Sequence, residues 1–334
     1  MTSLIDAAIF AGVIALWTAC TIFLAFIAEW FYRKMMGHIQ HRVGPKLTGP
    51  VGILQPLADF IKLMSKEQIS PRGTDESFVD FLAIFGVWLM IIMSLFLPIF
   101  STHGIFSFHG DAIFLLSLFA VGSIIYIVTP YLFPSPYPTI GAGRRAELYL
   151  AYEIPMFLAL ASVLFVMRSA TVSEIIALPL TSIRGVPAVI ILIPALIVTL
   201  LGVMARVKKL PFDIPEAETE IASGWEAELS GRRLAFFNLL TDLKLLVGSG
   251  IIVTFFLGGP LGPVFVVEGL EWLLVPLWRC FWFTLKTFIV ILIITIISGS
   301  VARFRIDQVL NLFWRKVLPL AVVQVIIIVV VYAL

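Results

Sequence analysis

The feature that most constrains this chain is a series of apolar runs, each long enough to cross a lipid bilayer. A spanning helix needs about 20 apolar residues, and 60% of the 334 residues are hydrophobic. The alternating pattern of an outer-membrane barrel does not occur in the sequence. We therefore predict an all-α integral membrane protein that forms a single membrane domain over 1–334. The eight predicted transmembrane helices cover 8–31, 80–100, 111–131, 147–167, 187–205, 235–258, 280–300 and 317–334.

The basic residues predict how these helices are oriented. Most of the 23 Lys and Arg residues lie in the loops after the first, third, fifth and seventh runs. Because cytoplasmic loops carry the excess of positive charge, we expect these loops in the cytoplasm and both termini on the outer side of a prokaryotic cytoplasmic membrane. The basic residues are divided among separate loops and do not form one stripe, so we expect no nucleic-acid partner.

The cysteine content limits the redox chemistry of the chain. Only Cys20 and Cys280 are present, and both lie in apolar runs. Iron–sulfur clusters are generally held by about four cysteines. We therefore expect no Cys-ligated iron–sulfur cluster and no metal site built by this chain alone, and we expect any redox metal to belong to a partner.

An amphipathic segment occupies the first charged loop at 51–67. Its apolar residues recur at helical spacing, and the segment is too short to span a bilayer. We predict an interfacial helix in the lipid bilayer surface, with Lys62 and Lys66 toward the headgroups. A solvated helix resting on a partner is the alternative.

A second charged loop, at 206–234, is unusually acidic for a chain in which only 13% of residues are charged. Carboxylates near apolar material take up protons or pair with cations. Two structural alternatives remain open: Asp213 can cap a short helix, and the flanking Lys and Arg residues can form a salt-bridge network. The acidic residues are Asp213, Glu216, Glu218, Glu220, Glu226 and Glu228.

Ionisable residues also lie inside the predicted transmembrane helices. Glu153 lies in the fourth, close to Pro155, while Asp242 and Lys244 lie in the sixth. Such groups usually face a bundle interior or a wet cavity. We predict a polar passage from the acidic loop past Glu153, with Asp242 and Lys244 forming an ion-paired wall. Lys286, in the seventh helix, is predicted to extend to the headgroups without a functional role.

Several ordered motifs cover nearly the whole chain. They resemble the eight-helix membrane subunit of respiratory complex I, which couples the peripheral redox arm to the membrane arm. Complex-I-related membrane-bound hydrogenases, formate hydrogenlyases and sulfane reductases share this subunit. The motifs are Arg33-Lys34 with Gln40, Arg42 and Gly44-Pro45; Gln55, Asp59, Lys62 and Lys66-Glu67; the run 211–220; Arg305-Ile-Asp-Gln308; and Trp314, Lys316 and Pro319.

The resemblance implies roles for these residues. The acidic loop would line the quinone chamber or its equivalent, and Glu153 would be the buried glutamate of the proton-translocating channel. It implies as partners a hydrogenase-like large subunit, an iron–sulfur small subunit and antiporter-like membrane subunits, with iron–sulfur clusters and, in the hydrogenase branch, a NiFe centre. The residues expected at the redox arm are Arg33, Lys34, Arg42, Gln55, Asp59 and Lys62.

Three positions depart from the quinone-reducing members of that family. Tyr32 and Thr241 stand where a Glu is common, and Leu148 stands where a Gln is frequent. Fewer polar groups favour the hydrogenase or sulfane-reductase branch, in which electron transfer is linked to H⁺ or Na⁺ translocation and no quinone need enter. The alternative is the quinone-chamber subunit of a quinone-reducing dehydrogenase. An independent secondary transporter is a third hypothesis, but no inverted repeat supports it.

Overall fold

The computed structural model describes residues 2–183, 186–215, 218–265 and 269–333. In these ranges the chain is helical apart from its connections and a two-residue antiparallel pair, β1 (Ser182–Ile183) with β2 (Val186–Pro187). This confirms the all-α class. The helices are α1 (Thr2–Ile39), α2 (Gln55–Ser65), α3 (Glu76–Phe96), α4 (Asp111–Val128), α5 (Pro136–Met167), α6 (Val172–Ile175), α7 (Ala188–Ile191), α8 (Ile193–Arg206), α9 (Glu218–Ile221), α10 (Gly231–Phe256), α11 (Glu271–Ser300), α12 (Ile306–Leu312) and α13 (Leu318–Ala333).

Seven helical segments in the described part of the chain are long and apolar enough to cross a membrane. The predicted fifth helix differs, because α7 and α8 are separated at Leu192 and α8 has only 14 residues. Pro194 has no N–H to donate to the carbonyl four residues earlier, which explains the interruption. The chain is therefore a multi-pass membrane protein whose fifth apolar element is broken.

Helix α10 forms the centre of the bundle and is the most buried of the long helices. It packs against α1, α2, α3, α8 and α11. Small residues permit this close packing, as is common between membrane helices. A β-carbon on Gly248 would lie 2.9 Å from Val203, and one on Gly86 would lie 2.6 Å from Leu240.

The predicted amphipathic segment contains α2, which follows a short 3₁₀ turn at Pro50–Gly52. Its apolar face packs on the bundle, where Phe60 contacts Phe26 on α1 and Phe236 on α10. Lys62 lies on the exposed face. The helix and its amphipathic character therefore agree with the prediction, while its contact with headgroups stays a prediction.

The four charged loops meet at one end of the bundle. The loop after α8 contacts each of the three other charged loops and so connects them. Its assignment to the cytoplasm remains a prediction. The contacts are Lys209 with Glu29, Glu220 with Arg144, Ser230 with Ile69, and Asp213 with Arg303.

Lys286 stabilises the turn that follows the C-terminal end of α10. Its Nζ donates to the carbonyl oxygens of Leu257, Gly259 and Leu261 at 2.7, 3.0 and 2.7 Å. A cation is favourable at this end of a helix, where carbonyls lack intrahelical partners. The side chain therefore turns to the backbone and does not extend to the headgroups, which corrects that prediction. Its role is structural.

Replacing Lys286 by Met should lower the melting temperature of the detergent-solubilised chain. Three carbonyl oxygens would lose their donor, at a cost of about 1–3 kcal/mol for unsatisfied groups of this kind. Arg279→Gln, on the same helix, is the matched control and should leave the melting temperature unchanged. Equal melting temperatures for Lys286→Met and the parent chain would contradict this role.

Candidate functional site

An ion pair buried in the bundle joins Glu153 of α5 to Arg206 at the end of α8. Arg206 Nη2 donates to Glu153 Oε2, and Arg206 and Glu153 are only 0% and 5% exposed. The guanidinium also lies over the Phe119 ring, 3.8 Å from its centroid. An acid placed this deep needs a cation to remain charged, and Arg206 supplies it.

Close packing of α5 on α8 brings the two charges together. A β-carbon on Gly202 would lie 2.9 Å from the sulfur of Met156, so a larger residue there would force the Met156 side chain to move. Glu153 lies almost one turn before Met156, and Arg206 about one turn after Gly202. Because the helices run in opposite directions, both side chains reach the same level.

Three further basic side chains surround one aromatic ring, Tyr126 of α4. The distances from the ring centroid are 3.6 Å to Lys244 Nζ, 4.4 Å to Lys208 Nζ and 5.1 Å to Arg145 Cζ. The negative face of an aromatic ring attracts cations, more strongly when they are desolvated. Tyr126 is 2% exposed, so its ring helps to hold positive charge inside the bundle.

These groups continue from the acidic loop to Glu153. Lys208 Nζ donates to Glu226 Oε1 at 3.0 Å, and Arg145 Nη2 donates to the carbonyl of Arg206 at 3.1 Å. The sequence of contacts therefore begins at a partly exposed acid and ends at a buried one. We call it the buried charge row; its members are Glu226, Lys208, Tyr126, Lys244, Arg145, Arg206 and Glu153.

Several polar atoms of the row have no hydrogen-bond partner among the residues that the structure describes. They include Lys244 Nζ, Glu153 Oε1, and two nitrogens each of Arg145 and Arg206. Buried polar atoms are nearly always paired, with protein or with ordered water. Leaving such atoms unpaired is costly, so the row is more than a set of structural ion pairs.

Asp242 does not pair with Lys244, so the predicted ion-paired wall is wrong. Residues two apart on a helix face away from each other. Lys244 points to Tyr126, whereas Asp242 lines a cavity of about 30 Å³ together with Arg33 and Asp59. The two residues belong to opposite sides of α10.

A second polar network occupies that other side. Lys209 Nζ donates to Glu29 at 3.1 Å, and Arg33 bridges Glu29 at 2.8 Å and Asp59 at 2.9 Å. Gln55 then donates to Asp59 at 3.0 Å. The network joins the loop after α8 to α1 and α2, and is separate from the buried charge row.

The residues expected to contact a redox arm fall into two groups. Arg33, Asp59 and Gln55 bind one another within the chain, as described above, and Lys34 donates to the carbonyl of Pro45 at 2.9 Å. Arg42 and Lys62 are exposed. Arg33 and Asp59 are paired but still partly exposed, with side chains 41% and 40% exposed, so contact of this set with a redox arm stays a prediction.

The acidic loop is partly a salt-bridge network, as one structural alternative proposed. Asp213 pairs with Arg303, and Glu220 pairs with Arg144 at 2.5 Å. The helix-capping alternative for Asp213 involves residues 216 and 217, which lie outside the described residues. Glu228 is partly buried. Glu216 and the side chain of Glu218 lie outside the described residues.

Burial shifts the pKa of the loop residues in different directions. It lowers the pKa of Lys208 to about 8, although Glu226 opposes the shift. It raises the pKa of Asp213, opposed by the hydrogen bond from Arg303. For Lys209 burial again favours the neutral amine, but Glu29 and Tyr32 outweigh it and raise the pKa. Lys208 is therefore the lysine of this loop whose proton can leave near neutral pH.

Sequence reasoning missed Arg145, Arg206 and Tyr126. It treated both arginines only as loop cations, because they stand at the ends of apolar runs. A signal existed for Arg145, since residues 145 and 153 are about two turns apart and share a helix face. Tyr126 carried no such signal, because an aromatic residue in a membrane helix is ordinary.

The three residues that depart from the quinone-reducing pattern each pack against neighbouring side chains of the bundle. The Tyr32 ring lies under Lys209, 3.8 Å from Nζ, and the Thr241 hydroxyl lies 2.8 Å from that of Tyr126. Leu148 is fully buried.

Within the described ranges, no group of three or more His, Cys, Asp or Glu residues could hold a metal ion.

The chain matches the family described as NADH dehydrogenase over residues 11–329. Curated relatives named as the H subunit of NADH-quinone oxidoreductase include one from Orientia tsutsugamushi (strain Boryong), 32% identical over 297 residues that cover 89% of this chain and 82% of the relative. One from Dehalococcoides mccartyi is 32% identical, covering 89% and 80%. One from Thermomicrobium roseum is 31% identical, covering 89% and 88%.

Proposed function

The chain belongs to the NADH dehydrogenase family, which includes the H subunit of NADH-quinone oxidoreductase. From this premise we propose that it is the membrane-anchor and coupling subunit of a complex-I-related respiratory oxidoreductase. Electron transfer takes place in a peripheral arm, and this protein links it to H⁺ or Na⁺ translocation. The observation that carries the proposal is the buried charge row between Glu226 and Glu153. A purely structural anchor would not need so many buried charges.

The row supports coupling because its charges interact strongly. Neighbouring titratable groups take up and release protons as a set, so that one new charge nearby moves several protons. A reduced acceptor or a shifted partner close to the loop would change the charge balance at Glu226 and Lys208. The change then reaches Glu153 through Lys244 and Arg206, and Glu153 exchanges the proton with the membrane arm.

The pH dependence of coupling should follow Lys208. Its ammonium is charged below a pKa of about 8 and neutral above it, so the number of ions moved per electron should fall as the pH rises through this value. Lys208→Arg should move that fall to higher pH, because a guanidinium keeps its charge. Lys208→Gln should give low coupling at every pH.

The measurement is proton or sodium uptake by vesicles that contain the whole complex, divided by the rate of electron transfer. Lys209→Arg is the matched control, because the pKa of Lys209 is already raised; its pH profile should equal that of the parent complex. Identical profiles for the parent and Lys208→Arg would contradict the role of Lys208.

The electron acceptor has two candidates. The departures at Tyr32, Leu148 and Thr241 favour a hydrogenase or sulfane-reductase arm, with iron–sulfur and NiFe partners and no quinone. The relatives' names favour the second candidate at least as strongly, since those proteins are named NADH-quinone oxidoreductases. In that case the acidic loop lines a quinone chamber.

Quinone dependence decides between these candidates. Membranes containing the complex are depleted of quinone and assayed for turnover before and after quinone is added back. Turnover that requires added quinone identifies the quinone-chamber subunit. Turnover that does not, together with H₂ or sulfide production, identifies the hydrogenase or sulfane-reductase type.

A further inference from the structure

A cleft of about 490 Å³ opens at the end of the bundle opposite the charged loops. Its walls come from the start of α4 and the end of α5. The apolar part contains Ile113, Leu164 and Phe165, and the polar rim contains His109 and Arg168. The buried charge row and its neighbouring network do not use this cleft.

Two hydrogen bonds hold the cleft in shape. The buried carboxylate of Asp111 accepts from the backbone N–H of Val172 at 2.7 Å, and the N–H of Ala112 donates to the carbonyl of Ala170 at 3.1 Å. They tie the first turn of α4 to the segment that follows α5. The cleft is therefore a preformed feature of the fold.

Arg168 occupies an unfavourable backbone conformation at the rim. It follows the last residue of α5 with φ 52° and ψ 28°, in the left-handed region. Glycine or asparagine is usual at this position, because a longer side chain is crowded there. A strained residue that persists at a cleft points to a function for its side chain, and the side chain of Arg168 is exposed.

The position of the cleft identifies the chemistry of its occupant. Helix α4 begins and α5 ends here, so the rim lies where membrane helices reach the headgroup layer. Ile113 and Phe165 are 56% and 55% exposed below the rim, at the depth of acyl chains. A cation and an N–H donor above an apolar groove complement a molecule with an anionic head and an apolar tail.

We propose that this cleft binds one anionic phospholipid of the outer leaflet. Arg168 and a ring N–H of His109 hold the phosphate oxygens, since guanidinium and imidazole N–H groups both donate hydrogen bonds to such acceptors. One acyl chain lies along Ile113, Leu164 and Phe165. The site is separate from the proposed coupling function and does not depend on it.

Lipid retention by the full chain tests this proposal. The chain in mild detergent is mixed with phosphatidylglycerol or phosphatidylcholine, and bound lipids are counted by native mass spectrometry. A nearby basic side chain favours an anionic lipid about fivefold, so we expect one retained phosphatidylglycerol with that preference. Arg168→Gly should lose the preference while its melting temperature stays equal or rises, since glycine relieves the strain.

Three further measurements test the cleft and the chemistry of its occupant. Arg279→Gln, which removes a different arginine on the predicted outer side, should keep the preference. Soluble glycerol phosphate should not displace the lipid, because it lacks the acyl chain, and Ala161→Phe should weaken retention by filling the apolar part. An unchanged preference in Arg168→Gly, or full displacement by glycerol phosphate, would overturn the proposal.

Discussion

Replacing Arg206 by Leu should destabilise the protein by about 3–5 kcal/mol, the usual result of removing one partner of a buried ion pair. The Glu153 carboxylate would remain inside the bundle without its cation. Both side chains are almost wholly buried, at 0% and 7% exposure, so solvent cannot compensate for the loss. Reversible unfolding of the detergent-solubilised chain by a denaturing detergent measures the difference.

A double variant separates the pair from its parts. Arg206→Leu with Glu153→Leu removes both charges and should recover much of the lost stability, because buried pairs can be replaced by apolar residues at little cost. Arg303→Leu is the matched control: its pair with Asp213 is partly exposed, and such pairs contribute about 0–1 kcal/mol. A double variant no more stable than Arg206→Leu would contradict the pairing.

Replacing Lys244 by Met should raise stability and abolish most coupled ion transport. Lys244 is 1% exposed and its Nζ lacks a hydrogen-bond partner among the described residues. Burying such a group costs about 1–3 kcal/mol on the scale of protein mutations. A residue that lowers stability and is nevertheless present is expected at a functional site.

Lys286→Met is the natural comparison, since both lysines lie in long membrane helices. Lys286 has three carbonyl acceptors, so its removal should lower stability and leave transport per electron unchanged. The two variants are therefore expected to behave in opposite ways. Loss of stability without loss of transport in Lys244→Met would contradict a functional role for that lysine.

The helices were predictable because the bilayer allows few solutions. Backbone groups in lipid must be satisfied within a helix, so apolar runs predicted where the membrane helices lie. The break between α7 and α8 could also have been predicted, because Pro194 interrupts the backbone hydrogen bonds of a helix. The start of α5 could not have been predicted, because its first turns are polar and lie among the charged loops. The helix begins at residue 136 and not at 147.

The site was predictable in its acids and not in its cations. Glu153 and Glu226 stand out by charge alone, whereas their partners Arg206 and Lys208 are assigned only when α8 is packed against α5. The pairing of Asp242 with Lys244 failed for a local reason, since a two-residue spacing separates helix faces. Nothing in the sequence indicates that Tyr126 gathers three cations, because they come from three different elements.

The most direct test of the account is the number of ions moved per electron in Glu153→Gln. The amide is similar in size but cannot exchange a proton, so vesicles holding the complete complex should reduce a soluble dye at the parent rate while ion uptake falls to the leak level. Glu153→Asp, which keeps a carboxyl group, should retain part of the uptake and shows that the complex still assembles. Full ion uptake per electron in Glu153→Gln would contradict the claim that the buried charge row ends in a functional carboxylate.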